Sequence, residues 1–214
     1  MIFLTEKDIY ARGGRRIIYN HPDNPDALIK ITDQDIFKQV LKQKRKKRIV
    51  FREKYYDENY RDFMAYRQYD KMSPAVYDFI PRIYGFEKTN FGEGLLVEKI
   101  KNFDGTPCPT LEEYLANFGA TKEILEALRL LYEKMRAVRF VSRELRGFNL
   151  LIRRAPTLSA SAYVIDGFGN QNFFAWLDKI PPLAEKKIRR RFERFLLSIG
   201  LAMRHCARDD FIFK

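Results

Sequence analysis

The sequence predicts an α+β protein, with strands dominating its first half and helices its second. Three observations carry that prediction. Short β-branched and aromatic runs, punctuated by turn residues, fill the first hundred positions. Beyond Phe103-Asp104-Gly105, apolar residues recur at three- and four-residue steps instead. The chain is also 46% hydrophobic, with 18 Phe and 12 Tyr, so it can bury a substantial core and is not disordered as a whole.

In order, Ile9-Tyr10, Arg16–Tyr19 and Ala27–Ile31 read as strands. Ala11–Gly14 and His21–Asp26 between them are turn signals, which gives an antiparallel three-stranded meander. Six of the seven residues from Lys42 to Arg48 are Lys or Arg, and a helix is expected from about Glu53 to Met72. Ser73-Pro74 and Ile80-Pro81-Arg82 end it. Strands from Arg82 to Phe86 and from Gly94 to Lys99 follow, joined by the turn-rich stretch from Lys88 to Gly94. Thr110-Leu-Glu-Glu113 has the form of a capping box, and Ile124, Leu128, Leu131, Met135 and Val138 draw one apolar stripe on a helix. A strand pair, Asn149–Ile152 and Tyr163–Ile165, comes next, and Lys186 to about Met203 reads as a basic amphipathic helix. The length suits a single domain of residues 1–214, divisible into a sheet lobe (1–99) and a helical lobe (100–214).

The formal net charge of +12 favours anionic partners: nucleotides, nucleic acid, phosphorylated sugars or an acidic membrane face. The blander reading of the Lys42–Arg52 and Lys186–Arg194 runs is a solvated surface; Phe51, Tyr55 and Tyr56 among them could stack on bases, without any RNA-binding signature. Phe173, Phe174 and Trp176 read as the core anchor of the next helix. Cys108 and Cys206 stand far apart beside only two histidines, which argues against structural zinc and suits a reducing compartment. The apolar run at Met1–Leu4 is too short for a signal peptide, and no segment reaches the roughly 18 apolar residues of a spanning helix. A cytoplasmic location is therefore expected.

Four features could do chemistry. Gly13 and Gly14 form a turn between strands, flanked by Arg12, Arg15 and Arg16, where a polyphosphate could approach; a plain hairpin is the alternative. Lys30 lies on the opposite strand face from Ile29 and Ile31, in solvent or aimed into a cleft, and the strand alone favours solvent. Val141–Leu151 offers the carboxylate of Glu144, the cation of Arg146 and the amide of Asn149. A base, a phosphate-contacting cation and a metal-binding carbonyl are what in-line phosphoryl transfer needs. Finally, Asp166 ends an apolar strand before Gly167-Phe168-Gly169, a good place to hold Mg²⁺ through a hard oxygen. The order of these parts matches that of a protein kinase.

The sequence also resembles the YrbL family of small bacterial proteins. The resemblance is carried by Tyr19-Asn-His-Pro22 with Leu28-Ile-Lys-Ile31, by Ile80–Gly85, by Phe103-Asp-Gly105, by Leu145–Leu151 and by Val164-Ile-Asp166. It implies a pared-down kinase-like fold binding ATP and Mg²⁺. Lys30 would contact the α- and β-phosphates, with Asp62 or Glu58 as its acidic helix partner. Asn149 and Asp166 would hold the metal and Arg146 would steady the transferred phosphate. Glu98-Lys99-Ile100 would be the hinge that receives the adenine edge.

Departures from an ordinary kinase accompany the resemblance. Glu144 stands where the catalytic aspartate would be, and Ser142-Arg143 replaces the preceding His-Arg. Leu28 replaces the alanine of the adenine roof, and Gly167 is an extra residue before Phe168-Gly169. About 48 residues follow Asp166, without an Ala-Pro-Glu-like segment, so the peptide-substrate platform is largely missing. The leading expectation is an atypical kinase acting on a non-peptide acceptor such as a sugar phosphate or an envelope glycolipid. The competing ones are a catalytically silent kinase-like regulator and a basic protein that binds RNA or a membrane surface.

Overall fold

Alternating apolar residues and tight turns build an antiparallel sheet from strands between Ile9 and Glu98. The computed structural model describes residues 1–46, 56–155, 159–168, 181–203 and 211–213. They group into two compact units, Met1–Arg67 with Arg82–Lys99, and Gln68–Pro81 with Ile100–Lys214. The segment 68–81 thus belongs with the second unit, although the sequence division placed it in the first.

The first unit holds β1 (Ile9–Arg12), β2 (Arg16–His21), β3 (Asn24–Thr32), β4 (Ile83–Thr89) and β5 (Gly92–Glu98), in the order β1-β2-β3-β5-β4. Every pairing is antiparallel. Strands run further into both connections than expected. Asn24–Asp26 belongs to β3, and β4 and β5 continue to a turn at Asn90-Phe91. Gly94 is therefore not a turn residue: it pairs with Ile31, and a Cβ there would stand 2.4 Å from Ile29 Cγ2. It makes room for the core formed by Leu4, Tyr19, Ile29 and Ile31 on this face.

The opposite face of β3 carries Leu28, Lys30 and Thr32, and helix α2 (Glu58–Met72) covers it. Phe63 of α2 meets Phe86 edge to face at 5.2 Å, and Asn59 Nδ2 donates to the Lys30 carbonyl at 2.7 Å. A further helix, α1 (Gln34–Lys46), leads out of β3; its charge concealed it in the sequence. The start expected for α2 near Glu53, and the basic residues from Lys47 onward, lie outside the described residues.

In the second unit, α3 (Leu111–Phe118) begins with the expected capping box. Thr110 N–H donates to Glu113 Oε2 at 2.7 Å, and Glu113 N–H to Thr110 Oγ1 at 3.2 Å. Helix α4 (Lys122–Ala137) buries Ile124, Leu128, Leu131 and Met135, the predicted stripe. It packs on the hairpin of β6 (Leu150–Arg154) and β7 (Ala160–Val164). Helix α5 (Pro181–Ser198) adds Ile188, Phe192 and Phe195, and β8 (Leu201–Met203) pairs with β9 (Phe211–Phe213). Among the described residues no helix is long and apolar enough to cross a membrane.

Candidate functional site

The segment from Phe140 to Asn149 has little regular structure, so its shape is set by what surrounds it. Helix α4 ends with Arg139 in a left-handed conformation (φ 54°) and Phe140 N–H returning to the Met135 carbonyl at 2.7 Å. Phe140 is then fully buried against Tyr69, Phe79 and Phe168, with ring centroids 4.7, 5.3 and 6.1 Å away. Val141 N–H donates to the Tyr69 hydroxyl at 3.1 Å. This aromatic anchor fixes where the next residues begin.

Two backbone contacts then bring the expected chemical groups together. Ile165 N–H donates to the Asn149 carbonyl at 3.0 Å, which places Asn149 beside Asp166 at one end of the β6–β7 hairpin. Arg143 N–H and Ser142 Oγ both donate to the Gly167 carbonyl, at 2.8 and 3.4 Å. Gly167 has φ +73°, and a Cβ on it would lie 3.0 Å from Glu144 N. Glu144, Asn149 and the Asp166-Gly167 turn therefore form one cluster.

The hydrogen bonds within it also orient the ligating atoms. Asn149 Nδ2 donates to the Glu144 carbonyl at 3.0 Å, which leaves Oδ1 as the hard oxygen of that amide. Asp166 Oδ1 accepts from Gly167 N–H at 2.5 Å, which fixes the orientation of the carboxylate. An amide and a carboxylate oxygen suit Mg²⁺, which takes one or two protein oxygens and fills its octahedron with water and phosphate. Glu144 is half-exposed, with Arg143 Nε 3.6 Å from its carboxylate. Arg146 is exposed, its guanidinium 5.8 Å from the Phe148 ring centroid.

The first unit holds the other expected residues. Lys30 is buried at 5% exposure, not solvent-facing as its strand alone suggested. It shares its sheet face with Arg16, because Arg16 pairs with Thr32 in register. Asp62, at 0% exposure, takes Arg16 Nη1 on Oδ2 at 2.8 Å, and Asn59 Oδ1 receives the same nitrogen at 3.1 Å. Glu58 holds Arg15 at 3.1 Å and Arg61 at 3.3 Å. Arg15 and Arg16 therefore face α2 carboxylates, whereas the sequence placed them near a phosphate.

Gly13 N–H closes the β1–β2 turn on the Arg16 carbonyl at 2.8 Å, and a Cβ on Gly14 would meet nothing within 4 Å. At the expected hinge, Glu98 N–H donates to Arg82 O and Lys99 N–H to Asp26 O, both at 2.8 Å, and Ile100 is buried. Those two amides are thus engaged within the sheet. Gly169, Phe173, Phe174 and Trp176 lie outside the described residues.

Sequence reasoning missed three contributors to the cluster. Arg191 of α5 donates to the Ser142 carbonyl and so braces the segment that holds Gly167. Read as one of three consecutive arginines it looked solvated, yet it lies three residues after buried Ile188, on the apolar side of the helix. Tyr69 gave no signal in the sequence. Glu112 of α3 lies against Gly147, where a Cβ would stand 2.6 Å from its Cγ.

Fold and site together define an α+β protein whose hairpin gathers two carboxylates and an amide at one end. The family described as PhoP regulatory network protein YrbL matches residues 2–200, and the chain belongs to that family. It is 25% identical over 208 residues to the YrbL proteins of Escherichia coli (strain K12) and of Shigella flexneri. The match covers 95% of this chain and 90% of each relative.

Proposed function

We propose that the protein is an atypical kinase that binds ATP with Mg²⁺ and transfers phosphate to a non-peptide acceptor, a sugar phosphate or a glycolipid. The observation that carries this reading is the convergence of Glu144, Asn149 and Asp166. Phosphoryl transfer needs positioned charges more than covalent chemistry, and these residues supply a base and two hard oxygens. Bound Mg²⁺ would neutralise charge on the phosphates. Glu144 would accept the proton of the acceptor hydroxyl, and its exposed side chain leaves it open to one. Arg146 would steady the transferred group, and Lys30, buried on its strand, would contact the α- and β-phosphates. Gly13 and Gly14 would let the polyphosphate pass close to backbone, with Glu98 and Ile100 at the adenine edge.

One observation favours a second reading, a silent kinase-like regulator. Arg143 Nε lies 3.6 Å from the Glu144 carboxylate, so a neighbouring cation engages the group that would have to meet the acceptor hydroxyl. Thermal melts with and without ATP and Mg²⁺, on wild type and Asp166→Ala, test the shared nucleotide site. The expected result is stabilisation of wild type that the variant loses. No stabilisation of wild type would sink the first reading and weaken the second. Stabilisation without consumption of ATP in the presence of envelope and cytosolic extracts would leave the silent module.

A further inference from the structure

The β6–β7 hairpin has a second end. Asn149 and Asp166 flank one end, whereas Arg154 and Ala160 pair at the other. Four residues separate Leu150 from Arg154, about 13 Å along a strand. A cavity of about 400 Å³ opens at that far end, lined by Phe103, Asp104, Tyr114, Glu123, Arg154 and Ala160 among others. Its volume falls within the range of small-ligand sites, and none of the Glu144, Asn149 and Asp166 cluster lines it.

The walls are held in place. Phe103 is 59% exposed, yet the Arg153 guanidinium lies 4.2 Å from its ring centroid and Phe103 N–H reaches the Arg154 carbonyl at 3.5 Å. Outside the lining, Phe118 steadies two of its residues, lying 5.7 Å from the Arg154 guanidinium and 5.1 Å from the Tyr114 ring. Tyr114 is itself tied through its hydroxyl to Thr121 Oγ1 at 3.2 Å. Asn102 braces the floor, its Oδ1 accepting from Arg154 N–H at 2.9 Å and its Nδ2 donating to Pro107 O at 3.1 Å. Exposed aromatic rings that are fixed offer contact area at little entropic cost.

The polar groups at the rim identify the occupant. Asp104 is ionised: Thr106 donates to it through its hydroxyl and its N–H, at 2.6 and 2.9 Å, which holds its carboxyl below the usual range. Glu123 is likewise held low, chiefly by the Thr121 hydroxyl. Two carboxylates repel a phosphate but accept hydrogen bonds from hydroxyl groups, and one arginine at the wall donates to ring oxygens. Apolar ring faces stack on aromatics. A pocket of about 400 Å³, open on one side, has room for a single ring.

We propose that this pocket binds an uncharged sugar ring, stacked on Phe103 and hydrogen-bonded by Asp104, Glu123 and Arg154. The site stands apart from the nucleotide reading and does not depend on it.

Saturation-transfer NMR on the full chain, with glucose, galactose, N-acetylglucosamine and their β-linked disaccharides, tests the proposal. Transfer to ring protons of at least one sugar is expected. Phe103→Leu and Asp104→Asn should each weaken it about tenfold with the melting temperature kept, and Asp166→Ala should leave it unchanged. Absence of transfer from every sugar overturns the site. So does transfer that survives both substitutions, or displacement of the sugar by AMP or by a basic peptide. Loss of nucleotide binding in Asp166→Ala with sugar binding intact would separate this site from the proposed kinase centre.

Discussion

Gly167 rests directly on Glu144: a Cβ at position 167 would stand 3.0 Å from Glu144 N and 3.1 Å from Glu144 Cβ. The contact is backbone to backbone, so no flexible side chain can move aside. Gly167 also has φ +73°, a conformation that L side chains adopt only under strain. Gly167→Ala should therefore cost about 1–3 kcal/mol and shift Asp166 away from Asn149. Urea denaturation checks the first effect. Loss of the Mg²⁺-dependent ATP stabilisation in a folded sample checks the second.

Gly14 makes the opposite case. It lacks a positive φ, and a Cβ there would meet nothing within 4 Å. The fold places no demand on it, so Gly14→Ala should change stability by less than about 0.5 kcal/mol. In the proposed kinase the same change should weaken ATP binding, because the added methyl stands where phosphate would pass. Unchanged ATP stabilisation in Gly14→Ala would reduce this turn to a plain hairpin.

The sequence showed these two glycines as equals, and that marks where its legibility stops. Strand and helix identities came from periodicity and caps, which are local: the α4 stripe and the Thr110 capping box are both present. The cluster of Glu144, Asn149 and Asp166 was readable because strand pairing joins segments of fixed spacing. The strand alone leaves Lys30 open between solvent and a cleft, because one strand cannot announce that a helix about 30 residues away lies over its polar face. Gly94 stands in the sequence where turn and strand meet, since a glycine that makes room for Ile29 and Ile31 looks the same there as one that bends the chain. The turn leaves Arg15 and Arg16 open between a phosphate and a plain hairpin for a related reason: their α2 partners lie more than 40 residues away.

The Arg16–Asp62 pair is buried on both sides, and Arg16 also donates to Asn59 at 3.1 Å and lies 3.8 Å from the Glu58 carboxylate. Removing Asp62 takes away the shortest of these contacts, and breaking a buried pair typically costs about 3–5 kcal/mol. Asp62→Ala should accordingly lower the melting temperature by about 10 °C. The double variant Arg16→Met, Asp62→Leu should regain much of that loss, since apolar residues of similar volume often replace a buried pair without penalty. If Asp62→Ala melts within about 2 °C of wild type, the pair is not the buried strut that its geometry describes.

Cys108 tests the core of the second unit. Its thiol is buried, with Sγ 3.5 Å from Asn102 Oδ1, and burial pushes its pKa up to about 11 although Arg153 and Arg154 pull it down. At pH 8 only about one molecule in a thousand would carry the thiolate, the form that reacts with iodoacetamide. In a Cys206→Ser background, alkylation of the native protein at pH 8 should be at least about 100-fold slower than in urea. The same shift sets an alkaline limit on stability. The folded state keeps a proton that the unfolded chain releases, so this contribution is complete below the ordinary thiol value of 9.0 and is lost as pH rises toward about 11. Cys108→Ala should flatten the fall in melting temperature across that interval, and an unchanged slope would show that another group governs it.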